Sequence, residues 1–446
     1  MIHRGVRFSL ITVAAAWAGC ALSHQSSSEE DAAMIDGGIA VVDSSSGERD
    51  AGDPEIAPPC EVPAPRCVRV FASRRIGDRP DEAQDVSIPA IGVDATGVHV
   101  VVRLEDPNEE RIMLFDRLHD HDLTSDEELL LDSFPRPNMM SVSVSVALGV
   151  TTFAWHDRRS FRGESTMETR WRSMDPTGTL SELRIADTIR LAARIEILGP
   201  TSLVLGDRVF AVSALDHELT MVDLAAATRR TVPIDAVPWG DIAAQPLEDG
   251  ETFIVLWHEI GDDGFARARV AVVRSSALVT GPVTVLHHLS DRASLLVHEG
   301  QVWVAGFERL ALLAESRLRV ARLELPDLTR REPDRTFSGW GGLRPAGFQL
   351  VAWRGKPWMV WLSDDPRFGS LAALFAEPLP EIACAVQSAD PTLVSSAPFD
   401  WSRRGAFGQL AVATGEVDRE ERLFIAHTIG SAGRFDIHAL DATCGP

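Results

Sequence analysis

The residues best suited to chemistry recur along the chain. Seven acids, Asp106, Asp157, Asp216, Glu259, Glu308, Asp364 and Glu416, each stand eight to ten places beyond a glycine and close a short apolar run. Gathered on one face, such carboxylates would attract a cationic group or hold a metal ion through oxygen donors. An acid at a strand end is also an ordinary solvated residue that blunts strand pairing. Two of the runs end in near copies, Trp155-His156-Asp157 and Trp257-His258-Glu259, with Asp216-His217-Glu218 between them. An imidazole beside a carboxylate can ligate zinc or exchange protons as general acid and base. Successive side chains of a strand point to opposite faces, however, so an adjacent His and acid do not converge. A working site would have to draw its members from different repeats.

Other constellations read more simply. His119-Asp120-His121-Asp122 has a metal-binding composition but falls in a loop between strands. Trp353, Trp358 and Trp361 could form a sugar-binding platform. The odd spacing of the last two sends them to opposite faces, which suits core packing. The chain contains no G-x-S-x-G, H-E-x-x-H, P-loop, G-x-G-x-x-G or EF-hand pattern. No catalytic residue, cofactor or resident metal follows from the sequence. The seven acids, with His156 and His258, are the candidate ligand residues.

The elements that must position them are strands. From about Cys67 onward, short runs rich in valine, leucine and phenylalanine alternate with Gly, Asp and Pro turns. The unit is a turn glycine, an apolar strand and then the acid, starting at Gly97, Gly149, Gly206, Gly250, Gly300, Gly355 and Gly408. Successive acids are 51, 59, 43, 49, 56 and 52 residues apart. Seven repeats near that length, each with room for four short strands, resemble the blades of β-propellers in general and no named subfamily. The resemblance implies an all-β, seven-bladed propeller over residues 60–446, with four-stranded antiparallel blades. All seven acids would then end the second strand of a blade and share the face of a central funnel. The longer segments 158–168, 260–266 and 309–315 would supply specificity loops. An array of β-sandwich domains would need a linker every ~100 residues, and no linker follows Pro65.

A ring of blades must close. The simplest closure pairs the strand at 67–73 antiparallel with the last strand, 435–440, which brings Cys67 beside Cys444. Four cysteines remain once Cys20 is set aside, none in C-x-x-C spacing, so two disulfides in an oxidising compartment are expected. Of the three connectivities, closure favours Cys67–Cys444 with Cys60–Cys384. A bridge over so long a loop is worth about 3–5 kcal/mol.

The N-terminus assigns the compartment. Arg4 and Arg7 precede an apolar run from Phe8 to Ala18, too short to span a bilayer, as in a secretory signal. It ends in Trp17-Ala18-Gly19-Cys20. This segment resembles the lipobox of bacterial lipoproteins, although Trp17 stands where an aliphatic residue is usual. The resemblance implies a signal peptide over 1–19, lipidation of Cys20, attachment to a membrane through that lipid, and an outer-membrane or cell-surface location outside the cytoplasm. Residues 20–59 then form a tether. From Ala21 to Pro59 nine acids face only Arg49, with two serine triplets and no aromatics, a composition that cannot offset the entropy of ordering.

Composition narrows the partners. The net charge of −22 argues against nucleic acid. Lys356 is the only lysine and tyrosine is absent. A GC-rich bacterial genome explains that bias, so the arginines do not by themselves indicate phosphate recognition. The expected function is binding or scaffolding of an envelope protein or glycan. A hydrolase or lyase with its active site in the funnel is the alternative.

Overall fold

The structure is a computed structural model and describes residues 68–76, 90–106, 111–135, 141–161, 164–191, 197–215, 217–234, 238–260, 266–276, 279–286, 289–309, 316–330, 335–337, 345–364, 371–379, 392–398, 410–429 and 434–442. Cys20, Cys60, Cys67, Cys384 and Cys444, the signal and tether segments and Asp216 lie outside them. Among the described residues no helix is long and apolar enough to cross a membrane.

The strands form seven antiparallel sheets, six of them running in chain order from a first strand to a fourth. Blade 1 comprises Ala90–Val93, Val98–Asp106, Arg111–His119 and Asp126–Pro135. Blade 2 comprises Val142–Ala147, Val150–Phe161, Glu164–Met174 and Arg184–Leu191. Blade 3 follows with Ile197–Leu205, Arg208–Leu215, Glu218–Asp223 and Thr228–Pro233. Blade 4 uses Pro238–Pro246, Thr252–Ile260, Ala266–Arg274 and Val279–Leu286. In blade 5, Leu289–His298, Gln301–Arg309 and Ser316–Glu324 are followed by a fourth strand split into Thr329–Arg330 and Arg335–Phe337, both paired with the third. Blade 6 comprises Pro345–Trp353, Lys356–Asp364, Leu371–Pro378 and Thr392–Pro398.

Blade 7 is assembled from both ends of the sheet region. Leu410–Val417, Glu420–Ile429 and Arg434–Ala442 are completed by Val68–Ile76 as the fourth strand. The pairing is antiparallel, with Val68 opposite Ala442 and Ile76 opposite Phe435, as the closure argument expects. The first strands neighbour one another around the ring, and Leu410–Val417 meets Ala90–Val93, so no blade has an open inner edge. The fold is the seven-bladed propeller implied by the repeat.

Both faces of each blade are buried, which explains the unbroken apolar runs. In blade 4, Phe253, Val255 and Trp257 pack toward blade 3, and Ile254 and Leu256 toward blade 5. The blade 6 tryptophans divide in the same way. Trp353 and Trp358 lie in the core with blade 7, and Trp361 in the core with blade 5. Near the centre, first strands approach so closely that glycine is required. A Cβ on Gly415 of blade 7 would overlap Val93 of blade 1, and one on Gly92 would stand 2.5 Å from Val144 Cγ1 of blade 2.

The turns between first and second strands follow their sequences. Leu148-Gly149 (φ 51° and 75°), Glu299-Gly300 (48° and 72°) and Arg354-Gly355 (52° and 66°) have positive φ at both residues. That is the mirror-image turn whose twist matches paired strands. Blade 7 makes the same turn without glycine, at Asp418 and Arg419 (54° and 68°). The expected seventh repeat, anchored on Gly408, is therefore displaced. Its strand is the first strand of blade 7, not the second, and Glu416 sits exposed beside the turn at the opposite end of the blade. The segment 158–168 also differs from a specificity loop: Arg158–Phe161 and Glu164–Glu168 continue the paired strands of blade 2.

Candidate functional site

The acids ending second strands are not uniform. Asp106, Glu308 and Asp364 occupy the strand ends expected of them. Asp157 and Glu259 are buried inside the blades, at 0% and 1% exposure. Alternation sends Asp157, with Phe153 and Trp155, toward blade 1, and His156, with Ala154, toward blade 3. Asp157 Oδ2 accepts from Arg159 Nε at 2.9 Å and lies 3.0 Å from Arg170 Nη2. Arg170 also reaches Glu168 at 2.6 Å and, across the blade boundary, Asp132 at 2.8 Å. Trp155 Nε1 donates to the same Asp132 carboxylate at 3.3 Å. Glu259 pairs with Arg269 at 2.5 Å. These carboxylates bind arginines within and between blades. His156 and His258 are buried as well, and burial pushes His156 down to about 3. Neither histidine shares a face with the acid that follows it.

The other motifs serve turns. Asp120 accepts from Thr124 N at 2.6 Å and Ser125 Oγ at 2.8 Å, while Asp122 pairs with Arg422 of blade 7 at 3.1 Å. Burial lowers His119 to about 4.

A second buried network lies beside the first turn. His99 Nδ1 is 2.8 Å from Asp116 Oδ2, and its Nε2 is 3.2 Å from Asp94 Oδ2. Asp94 also accepts from Thr96 N at 2.7 Å, and from Thr151 Oγ1 at the start of blade 2's second strand. Burial opposes charge on His99, but hydrogen bonds to Asp116 and Asp94 outweigh it and raise its pKa to about 9. Burial likewise works against the Asp94 carboxylate. Hydrogen bonds from His99, Thr151 and Thr96 prevail and hold it below the usual carboxylate range. A cationic His99 thus ties Asp94 of the blade 1 turn to Asp116 of the same blade, and Asp94 in turn accepts from Thr151 of blade 2.

The group with the geometry of a ligand set lies in blade 7. His427 on the second strand stands opposite Asp436 on the third, and His438 lies two residues further along that strand. All three side chains therefore share one face. A ligand atom from each lies within 4.8 Å of the others, and the residues are 2%, 6% and 2% exposed. His427 Nε2 and His438 Nε2 are 3.0 Å apart and share a hydrogen bond. The ring centroids, at 5.2 Å, are farther apart than these nitrogens, with planes within 16°, so the rings meet nitrogen to nitrogen. Ser73, opposite His438 on the closing strand, places Oγ 2.8 Å from His438 Nδ1. Burial, with a contribution from His427, lowers His438 to about 3 and keeps its ring neutral. The cluster continues the face on which Leu423, Ile425 and Leu440 pack against blade 6.

Sequence reasoning missed this group, and two signals could have found it. Asp436-Ile437-His438 is an Asp-x-His pair on a strand, which does share a face. His427 lies eight residues beyond the Asp418-Arg419 turn, where Asp157 stands relative to Gly149 and His258 relative to Gly250.

Fold and site together define a β-propeller whose closing blade carries a buried His/Asp cluster. No family model and no curated protein matches the chain. Among solved structures, a Penicillium chrysogenum α-L-arabinanase complexed with arabinobiose shares 11% identity at a TM-score of 0.44, covering 84% of this chain and 98% of that one. Drosophila Plexin A in complex with Semaphorin 1b shares 10% identity at a TM-score of 0.36, covering 84% and 87%. A subtype N10 neuraminidase-like protein of A/little yellow-shouldered bat/Guatemala/060/2010 shares 9% identity at a TM-score of 0.36, covering 85% and 100%. Likeness at this level says nothing about ligand or activity.

Proposed function

We propose that this chain is an envelope lipoprotein, anchored through Cys20, whose propeller binds or scaffolds a protein or glycan. The observation that carries the reading is the use of the buried acids. Asp157 and Glu259, which a funnel enzyme could have used, sit inside blades in ion pairs with Arg170 and Arg269. What the closed ring offers outward is a rigid rim and its connecting segments, the usual seat of recognition on such a scaffold. The sequence of residues 17–59 supports display outside the cytoplasm on an acidic spacer.

The test has two arms. Cells fed an alkyne fatty acid should label the wild-type protein and not Cys20→Ala, which should leave the membrane fraction. Unlabelled wild-type protein would end the anchor assignment. Purified protein should then bind members of a glycan array or defined envelope proteins, and Asp157→Asn and Glu259→Gln should bind as wild type does. Release of cleaved products from the bound glycan, abolished by either substitution, would instead establish the hydrolase alternative.

A further inference from the structure

We propose that His427, Asp436 and His438 form a binding site for one divalent transition-metal ion of the zinc class, and that the ion fastens the closing blade. Three features carry the assignment. An i, i+2 pair on one strand with the opposite residue of its neighbour is how a sheet brings three donors to one point on one face. Two imidazoles are borderline donors that Zn(II) and its neighbours favour over Ca(II) or Mg(II), and a carboxylate is a common third ligand beside them. The Ser73 contact to His438 Nδ1 fixes that ring with Nε2 turned into the cluster, the outer-shell bond that ligating histidines make through their other nitrogen.

The spacing fits with a small adjustment. Zn–N bonds of about 2.0–2.1 Å in tetrahedral geometry set two nitrogens about 3.3 Å apart. The two Nε2 atoms stand at 3.0 Å, so a slight rotation of the rings replaces their shared hydrogen bond with two metal bonds. Three protein donors leave a fourth position open. The ligands come from the second and third strands of blade 7, and their outer-shell partner from the fourth, Val68–Ile76. Binding would therefore stabilise the closed ring over any state in which the N-terminal strand has come away.

The experiment uses the untagged mature protein, stripped with EDTA, dialysed against Zn(II) and counted by mass spectrometry. One ion per chain is expected, with a Tm that rises with free Zn(II). Co(II) should give the visible bands of a nitrogen–oxygen site without a thiolate charge-transfer band. His438→Gln and Asp436→Asn should lose the ion. Ser73→Ala, outside the donor set, should keep the stoichiometry and weaken affinity by about 10-fold or more. Wild-type protein that binds no Zn(II) or Co(II) would overturn the proposal. So would full stoichiometry in folded His438→Gln, or a thiolate band that assigns the ion to cysteine. The outcome is independent of whether the rim binds a protein or a glycan.

Discussion

At the scale of single residues, charged groups inside this protein fasten strands within a blade and, through Arg170 and Asp132, one blade to its neighbour. Arg170 is 6% exposed and joins Asp157 and Glu168 of its own blade to Asp132 of the next. Removing it would leave buried carboxylates without their main counter-charge, a loss of about 3–5 kcal/mol. Arg170→Ala should show that loss in denaturant unfolding at unchanged m-value. His99 adds a pH signature. Its folded pKa of about 9 exceeds the ordinary 6.5, so its contribution is complete below pH 6.5 and lost as pH rises through about 9. The Asp94 carboxyl is held low, so its share is present above its ordinary 3.8 and lost as pH falls further. Wild-type Tm should therefore decline between pH 6.5 and 9 more steeply than that of His99→Gln. Parallel profiles would remove His99 from this role.

At the scale of elements, the turn decides how a repeat is read. Gly300 has φ 72° and open space around it, so Gly300→Ala meets only left-handed backbone strain, about 1–2 kcal/mol. Arg419 bears that strain already at φ 68°. An aspartate followed by a glycine is a favoured pair for this hairpin turn, and Arg419→Gly would create it behind Asp418. Arg419→Gly should stabilise the protein by about 1 kcal/mol, and thermal melts of the two variants should move in opposite directions. The same position explains why the seventh repeat reads differently in the sequence. Turn glycines mark six blades, whereas the glycine of the seventh repeat, Gly408, precedes the first strand of blade 7 and not its second. Asp418 suits positive φ, but Arg419 gives no compositional sign of it, because the paired strands on either side impose it.

At the scale of the whole molecule, closure is the decisive event. Val68–Ile76 is far in sequence from the strand it completes, and without it Arg434–Ala442 would present an unpaired edge. A chain beginning at residue 77 should lose cooperative unfolding and self-associate on size exclusion. The ring centre is equally demanding, since a methyl group at Gly415 would meet Val93 of the neighbouring blade. Gly415→Ala should cost about 1–3 kcal/mol, as overpacking of a filled core usually does.

The sequence by itself determined the architecture: an all-β ring of seven units, its strand order within a blade, and its closure by the N-terminal strand. Those features follow from local chemistry, since turn glycines, apolar runs and repeat length are written residue by residue. The Trp358/Trp361 division was legible for the same reason, being a matter of strand parity. Only the tertiary structure decided which polar residues meet. Asp157 reaches Arg170 on the adjacent strand and, through it, Asp132 of another blade. His427, Asp436, His438 and Ser73 converge from three strands, one of them drawn from the opposite end of the propeller. Such contacts depend on register and face across long stretches of chain, and a linear pattern carries the face of each strand without saying what lies opposite it.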